Sequence, residues 1–173
     1  MFTLVKKPAP DFLMEGVLDE KFSTYKLADF KGKWLVLFFY PLDFTFICPT
    51  EITGFSKRLD EFKKLNAAVV GVSTDSVHSH KAWLKDLGSL GYPLLSDMTH
   101  AVSRAYGVLL EEEGIALRGT FIMDEDGVVR YALYHDNGVG RSIEETLRVL
   151  SALQTGDLCP MEWKPGMKTL GKA

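Results

Sequence analysis

An α/β fold, with helices covering a mixed sheet, is what the sequence predicts, and three observations predict it. Leu35 to Tyr40 reads LVLFFY, an unbroken apolar run between Gly32 and Pro41, the pattern of a strand buried on both faces. After it, Ile52, Phe55, Leu59 and Phe62 recur at spacings of three and four while Lys57, Arg58, Asp60, Glu61, Lys63 and Lys64 fall between them, the stripe of an amphipathic helix. Ala67 to Val72 then reads as a second buried strand. A βαβ pattern of this kind, followed by further strands and helices, layers helices on one sheet.

The remaining elements follow in order. Phe12 to Val17 and Phe22 to Tyr25 flank Leu18-Asp19-Glu20-Lys21 as an N-terminal hairpin. The helix after the first buried strand spans Pro49 to Leu65, with Pro49 suited to the first helical position. Val77 to Leu87 reads as a helix, Thr120 to Met123 as a strand, and Val128 to Tyr134 as its partner across Asp124 to Gly127. Ser142 with Glu145 has the signature of a capping box, opening a helix whose apolar side is Ile143, Leu147, Leu150 and Leu153. The last dozen residues, with Lys164-Pro165-Gly166, read as a tail that is surface-bound or mobile.

With 173 residues the chain fits one domain. Hydrophobic residues make up 46% and charged residues 25%, which excludes a disordered protein. A formal net charge of -3 offers no general attraction to nucleic acid or anionic lipid. The apolar start from Met1 to Val5 is broken by Lys6 and Lys7, too short for a signal peptide or a membrane span, so a cytoplasmic location without membrane attachment is expected. Two cysteines, Cys48 and Cys159, are too few for a disulfide scaffold or a Cys-rich zinc site. His78 and His80 are two apart, and on a helix such residues point away from each other. Neither a metal nor an organic cofactor is expected.

Cys48 stands at the junction between the first buried strand and the helix after it, where α/β sheets place reactive groups. A helix start presents unpaired amide hydrogens and a partial positive charge, which favour a thiolate over a thiol. Position alone leaves two readings open, a nucleophile and a small buried hydrophobe, since free cysteine is among the most buried residue types.

The segment PLDFTFICPTE, Pro41 to Glu51, resembles the active-site motif of the peroxiredoxins, which runs Pro, three residues, Thr, two residues, Cys; here these are Pro41, Thr45 and Cys48. Its flanks are similar to the typical two-cysteine group, which includes the peroxidase component of bacterial alkyl hydroperoxide reductase. The resemblance extends along the chain through His80-Lys81-Ala82-Trp83, Pro93 to Asp97, Arg118-Gly119-Thr120-Phe121, Val139 to Ser142 and Cys159-Pro160. It implies a thioredoxin-like fold, with which the predicted elements are compatible. It also implies that Cys48 attacks the peroxide, that Thr45 hydrogen-bonds it, that Arg118 stabilises thiolate and transition state, and that Pro41 shields the site from water. Glu51 and Arg141 resemble the residues that hold the catalytic arginine. These donor types suit an oxygen that becomes anionic as it leaves.

CPMEWKPG, from Cys159 to Gly166, looks like the resolving-cysteine segment of the same group. The resemblance therefore implies a peroxidase domain over residues 1–155 and a C-terminal arm over 156–173. It implies a homodimer in which Cys48 of one chain is oxidised to a sulfenic acid and condenses with Cys159 of the other, and it leaves open whether such dimers stay separate or assemble into a ring of five. Hydrogen peroxide and organic hydroperoxides are the implied substrates, and thioredoxin or a dedicated disulfide reductase the implied electron donor. A thioredoxin-type dithiol oxidoreductase is the competing enzyme, but it needs a Cys-x-x-Cys pair and Glu51 stands where the second cysteine would be. A third class is a holdase or redox-signalling protein, separated by assaying dithiol-dependent turnover against aggregation suppression. Gly88-Ser89-Leu90-Gly91 only partly matches the Gly-Gly-Leu-Gly loop of overoxidation-sensitive members, and no Tyr-Phe follows before Ala173. Resistance of Cys48 to sulfinic acid formation is expected on that ground.

Overall fold

The structure is a computed structural model that describes residues 3–172; Met1 and Phe2 of the apolar start and Ala173 of the tail lie outside the described residues. The chain divides into two units, one running to Arg141 and the other beginning at Ser142. The domain boundary expected at residue 155 falls inside the second unit.

In the first unit β1 (Leu13–Leu18) and β2 (Lys21–Lys26) pair as the expected antiparallel hairpin. A 3-10 turn over Leu27–Phe30 leads to β3 (Trp34–Phe39). Then follow α1 (Cys48–Lys57), α2 (Leu59–Lys64), β4 (Ala67–Ser73), α3 (Val77–Leu87), β5 (Leu94–Ser96) and α4 (Ala101–Ala105). A small ribbon of β6 (Leu109–Leu110) and β7 (Ile115–Ala116) precedes β8 (Arg118–Met123) and β9 (Val129–His135). Seven strands form one sheet in the order β2-β1-β5-β4-β3-β8-β9, with β5, β4 and β3 parallel and the other neighbours antiparallel.

The apolar run of β3 is interior and packed on both faces, as expected. Leu35, Leu37 and Phe39 join Phe12, Val70, Tyr106 and Phe121 in one cluster. On the other face Phe38 stacks on Phe55 of α1, ring centroids 4.4 Å apart. Gly71 of β4 is required there, because a Cβ would meet Phe38 Cζ and Leu94 Cδ2 at 2.8 Å.

The helix expected over Pro49 to Leu65 is two helices. Its four apolar anchors, Ile52, Phe55, Leu59 and Phe62, are all buried, but the backbone tightens at Arg58, whose N–H bonds the Phe55 carbonyl. Thr53, Gly54 and Ser56 are weak helix formers just before the break. Beyond it, Arg58 grips Glu61 through two hydrogen bonds of 2.7 and 2.9 Å.

The second unit holds α5 (Ile143–Thr155) and the segment after it. Ser142 Oγ accepts the Glu145 N–H at 3.1 Å, one half of the expected box. The Glu145 carboxylate is engaged instead by Arg148, at 2.6 and 2.7 Å. The tail is tied to itself. Leu158 N–H donates to the Gly171 carbonyl and Leu170 N–H to the Leu158 carbonyl, both at 2.8 Å, while Trp163 is buried and its indole N–H donates to the Met167 carbonyl. Among the described residues no helix is long and apolar enough to cross a membrane.

Candidate active site

Cys48 is the first residue of α1, at the carboxyl end of β3 and beyond the loop from Tyr40 to Ile47, and it is fully buried. The register of β3 with β8, which sets Phe38 opposite Thr120, puts the start of β8 beside that end. Arg118 stands there, 2% exposed, and its Nη1 donates to Cys48 Sγ at 3.4 Å.

Arg118 is held from two sides. Nη1 also donates to Glu51 Oε2 at 2.7 Å, and Nε to the Asn137 carbonyl at 3.0 Å. Glu51 lies three residues along the same helix as Cys48 and is itself buried. Its Oε1 accepts the Arg141 backbone N–H at 2.8 Å and Nε at 3.0 Å. Arg141 has five donors, and all five are used: Nη1 donates to the Gly119 carbonyl and Thr120 Oγ1, and Nη2 to the Phe39 carbonyl and Glu51 Oε2. Burial pulls its guanidinium below the usual value while Glu51 pulls the other way. A buried group of two cations and one carboxylate is thus placed against the sulfur, with one positive charge in excess.

Thr45 Oγ1 donates to the Leu42 carbonyl at 3.0 Å, which leaves the oxygen free to accept. Pro41 is buried at the strand end. All the expected site residues of the first unit therefore lie on β3's end, the loop and α1, or on β8 and the segment ending at Arg141. Cys159 belongs to the second unit, where its sulfur lies 3.5 Å from Thr155 Oγ1 and 3.8 Å from the Ala152 carbonyl.

Sequence reasoning missed the groups that hold the loop. Tyr40 OH donates to Asp43 Oδ1 at 2.9 Å, His80 Nδ1 meets Asp43 Oδ2 at 2.8 Å, and His80 Nε2 meets the Leu95 carbonyl at 3.1 Å. Asp75 Oδ2 accepts the Asp43 N–H at 2.9 Å and the Ser73 hydroxyl at 2.6 Å. Burial raises the Asp75 carboxyl, and the Ser73 hydroxyl opposes that rise. Burial likewise holds the Tyr40 hydroxyl protonated. One signal was available: His80 falls on the stripe Val77, His80, Trp83, Leu84, where a polar residue among buried ones needs partners.

The AhpC/TSA family model matches residues 5–132. The chloroplastic 2-Cys peroxiredoxin of Hordeum vulgare is 51% identical, over 96% of this chain and 85% of that protein. Peroxiredoxin-2 of Macaca fascicularis is also 51% identical, over 96% of this chain and 89% of that protein. The structure superposes on reduced Plasmodium vivax 2-Cys peroxiredoxin with a TM-score of 0.92 at 39% identity, covering 97% of this chain and 93% of that one. The fold is thus the thioredoxin-like fold of that family.

Proposed function

This chain belongs to the AhpC/TSA family and is a thiol-dependent peroxidase, and within that activity we propose that Cys48 is the sulfur that attacks and Cys159 of a second copy the sulfur that resolves. The observation behind this reading is the Arg118 contact at 3.4 Å to a sulfur at a helix start. The excess positive charge of Arg118, Glu51 and Arg141 is balanced when that sulfur is a thiolate, and buried charge persists only where it is compensated.

The thiolate attacks the near oxygen of the hydroperoxide. An S–O bond forms, the O–O bond breaks, and its electron pair leaves on the far oxygen, which takes up a proton as water or alcohol. Arg118 and the helix-start amide are fixed donors for the developing charge, Thr45 Oγ1 accepts the peroxide hydrogen, and Pro41 keeps bulk water off the sulfur. The Cys48 sulfenic acid then condenses with the Cys159 thiol, forming the disulfide and releasing water. Because Cys48 is fully buried, the partner's thiol reaches it only after the first turn of α1 unwinds. A thioredoxin or a dedicated disulfide reductase returns both thiols.

Residues 156–173 act as the arm that carries Cys159. The edge strand β9, with Leu133 and Tyr134 exposed, supports pairing of two copies, and Phe46, 96% exposed beside the site, supports assembly into a ring. A cytoplasmic location agrees with the use of reducible thiols.

Cys48→Ser tests the assignment, since a serine hydroxyl is a far weaker nucleophile than a thiolate. Peroxide consumption with a dithiol donor is expected to vanish while the circular dichroism spectrum is retained. Substantial turnover in that variant removes Cys48 from the reaction.

A further inference from the structure

We infer that Tyr92 is a positioning residue that stops the unwinding of the Cys48 helix at Ile52. Its hydroxyl donates to the Ile52 carbonyl at 2.7 Å, and both residues are buried. In a helix that carbonyl already accepts the N–H of Ser56, so the tyrosine bond is an additional tether from outside α1. Tyr92 sits in the connection between α3 and β5, not on the helix it holds. Its ring meets Phe38 edge-on at 6.0 Å, and Phe38 in turn stacks on Phe55 at 4.4 Å. Next to it Leu90 is buried, and Gly91 passes so close to Leu59 that a Cβ would stand 2.8 Å from its Cδ2. The connection therefore grips the helices from Ile52 onward.

The four residues ahead of the tether, Cys48 to Glu51, contain both the reacting sulfur and the carboxylate that orients Arg118. Opening them exposes the sulfur, and opening further would pull Phe55 from its stack on Phe38. A tether at Ile52 confines the change to the turn that must move. It also biases the balance toward the closed helix, because any opening that runs past Ile52 must break the tether. Tyr92 thereby adjusts how long the sulfenic acid waits before it can be resolved, and so how often a second peroxide reaches it. The inference rests on the proposed roles of Cys48 and Cys159.

Tyr92→Phe keeps the ring and removes only the tether. The reading is the peroxide concentration at which half of Cys48 becomes sulfinic acid during turnover, measured by intact mass. It is expected to rise by up to about fivefold, the equilibrium value of the one ordinary hydrogen bond that openings past Ile52 no longer have to break, while the first reaction with peroxide in the reduced protein changes less than twofold. A purely structural role would lower the melting temperature and leave that concentration where it was, which would overturn the inference. Hydrogen exchange on the disulfide-linked wild type gives a second reading that needs no variant. The Ser56 amide should stay protected while the first turn exchanges, and equal exchange at both would also overturn it. Failure of the wild type to form a Cys48 to Cys159 disulfide would instead refute the underlying roles.

Discussion

Arg118 donates from one nitrogen to both the Cys48 sulfur and Glu51, so under the proposed mechanism its loss takes a donor from the transition state, and it uncovers a buried carboxylate. Arg118→Ala is expected to lower the second-order rate with peroxide by roughly a hundredfold or more, the usual loss for a fixed donor to a developing oxyanion. Stopped-flow measurement of the reduced protein checks this, and an unchanged rate removes Arg118 from the site. Glu51→Gln separates positioning from direct contact. The amide retains an acceptor for one arginine but not the charge that holds two, so a loss of about tenfold is expected, roughly 1.4 kcal/mol. A loss as large as that of Arg118→Ala would mean that Glu51 acts as more than a support. Arg118 and Glu51 were legible because the resemblance links them; the role of Asp43 was not, because beyond Tyr40 its partners are 32 and 37 positions away.

The Cys48 segment is positioned by elements that carry no sulfur chemistry. The loop before α1 reaches α3 and β5 through Asp43 and His80, and reaches the end of β4 through Asp75. Asp43→Ala leaves His80, Tyr40 and the loop with unmatched polar groups in a site closed to water. Breaking a buried pair of this kind costs about 3 kcal/mol, to be read as a lower denaturant midpoint, with thiol reactivity at Cys48 falling alongside. An unchanged midpoint would mean that water replaces the carboxylate. At this scale the sequence was informative about strands and about α3, whose bounds agree with Val77–Leu87. It was not informative about the break at Arg58, since the apolar spacing continues through it. Nor did it disclose β5 and α4, of three and five residues. Such short elements have too few residues for a period, and α4 is started by Asp97, whose carboxylate accepts the Val102 and Ser103 N–H groups.

Across the whole molecule, the two sulfurs lie on separate units, and in the reduced state each is held by its own bonds. Cys48 is buried under the Arg118 contact, and the Cys159 segment is closed by Leu158 with Gly171 and Leu170, Asp157 with Thr169, and Trp163 with Met167. Under the proposed resolution by a second copy, forming the disulfide draws both sulfurs out of those settings, and the reaction is then coupled to local opening in each unit. Local opening governs cleavage by a protease, because only an opened segment fits the protease cleft. In the reduced protein chymotrypsin should spare Trp163, which is 4% exposed. After one equivalent of peroxide, the protein should run as a covalent dimer without reductant, and cleavage after Trp163 should accelerate at least tenfold. Cys48→Ser treated in the same way should keep the reduced pattern, and Cys159→Ser should consume one equivalent yet stay monomeric on the denaturing gel. Equal cleavage rates before and after oxidation would show that the disulfide forms without opening the arm. A covalent link confined to one chain would exclude the second copy as the source of the resolving thiol.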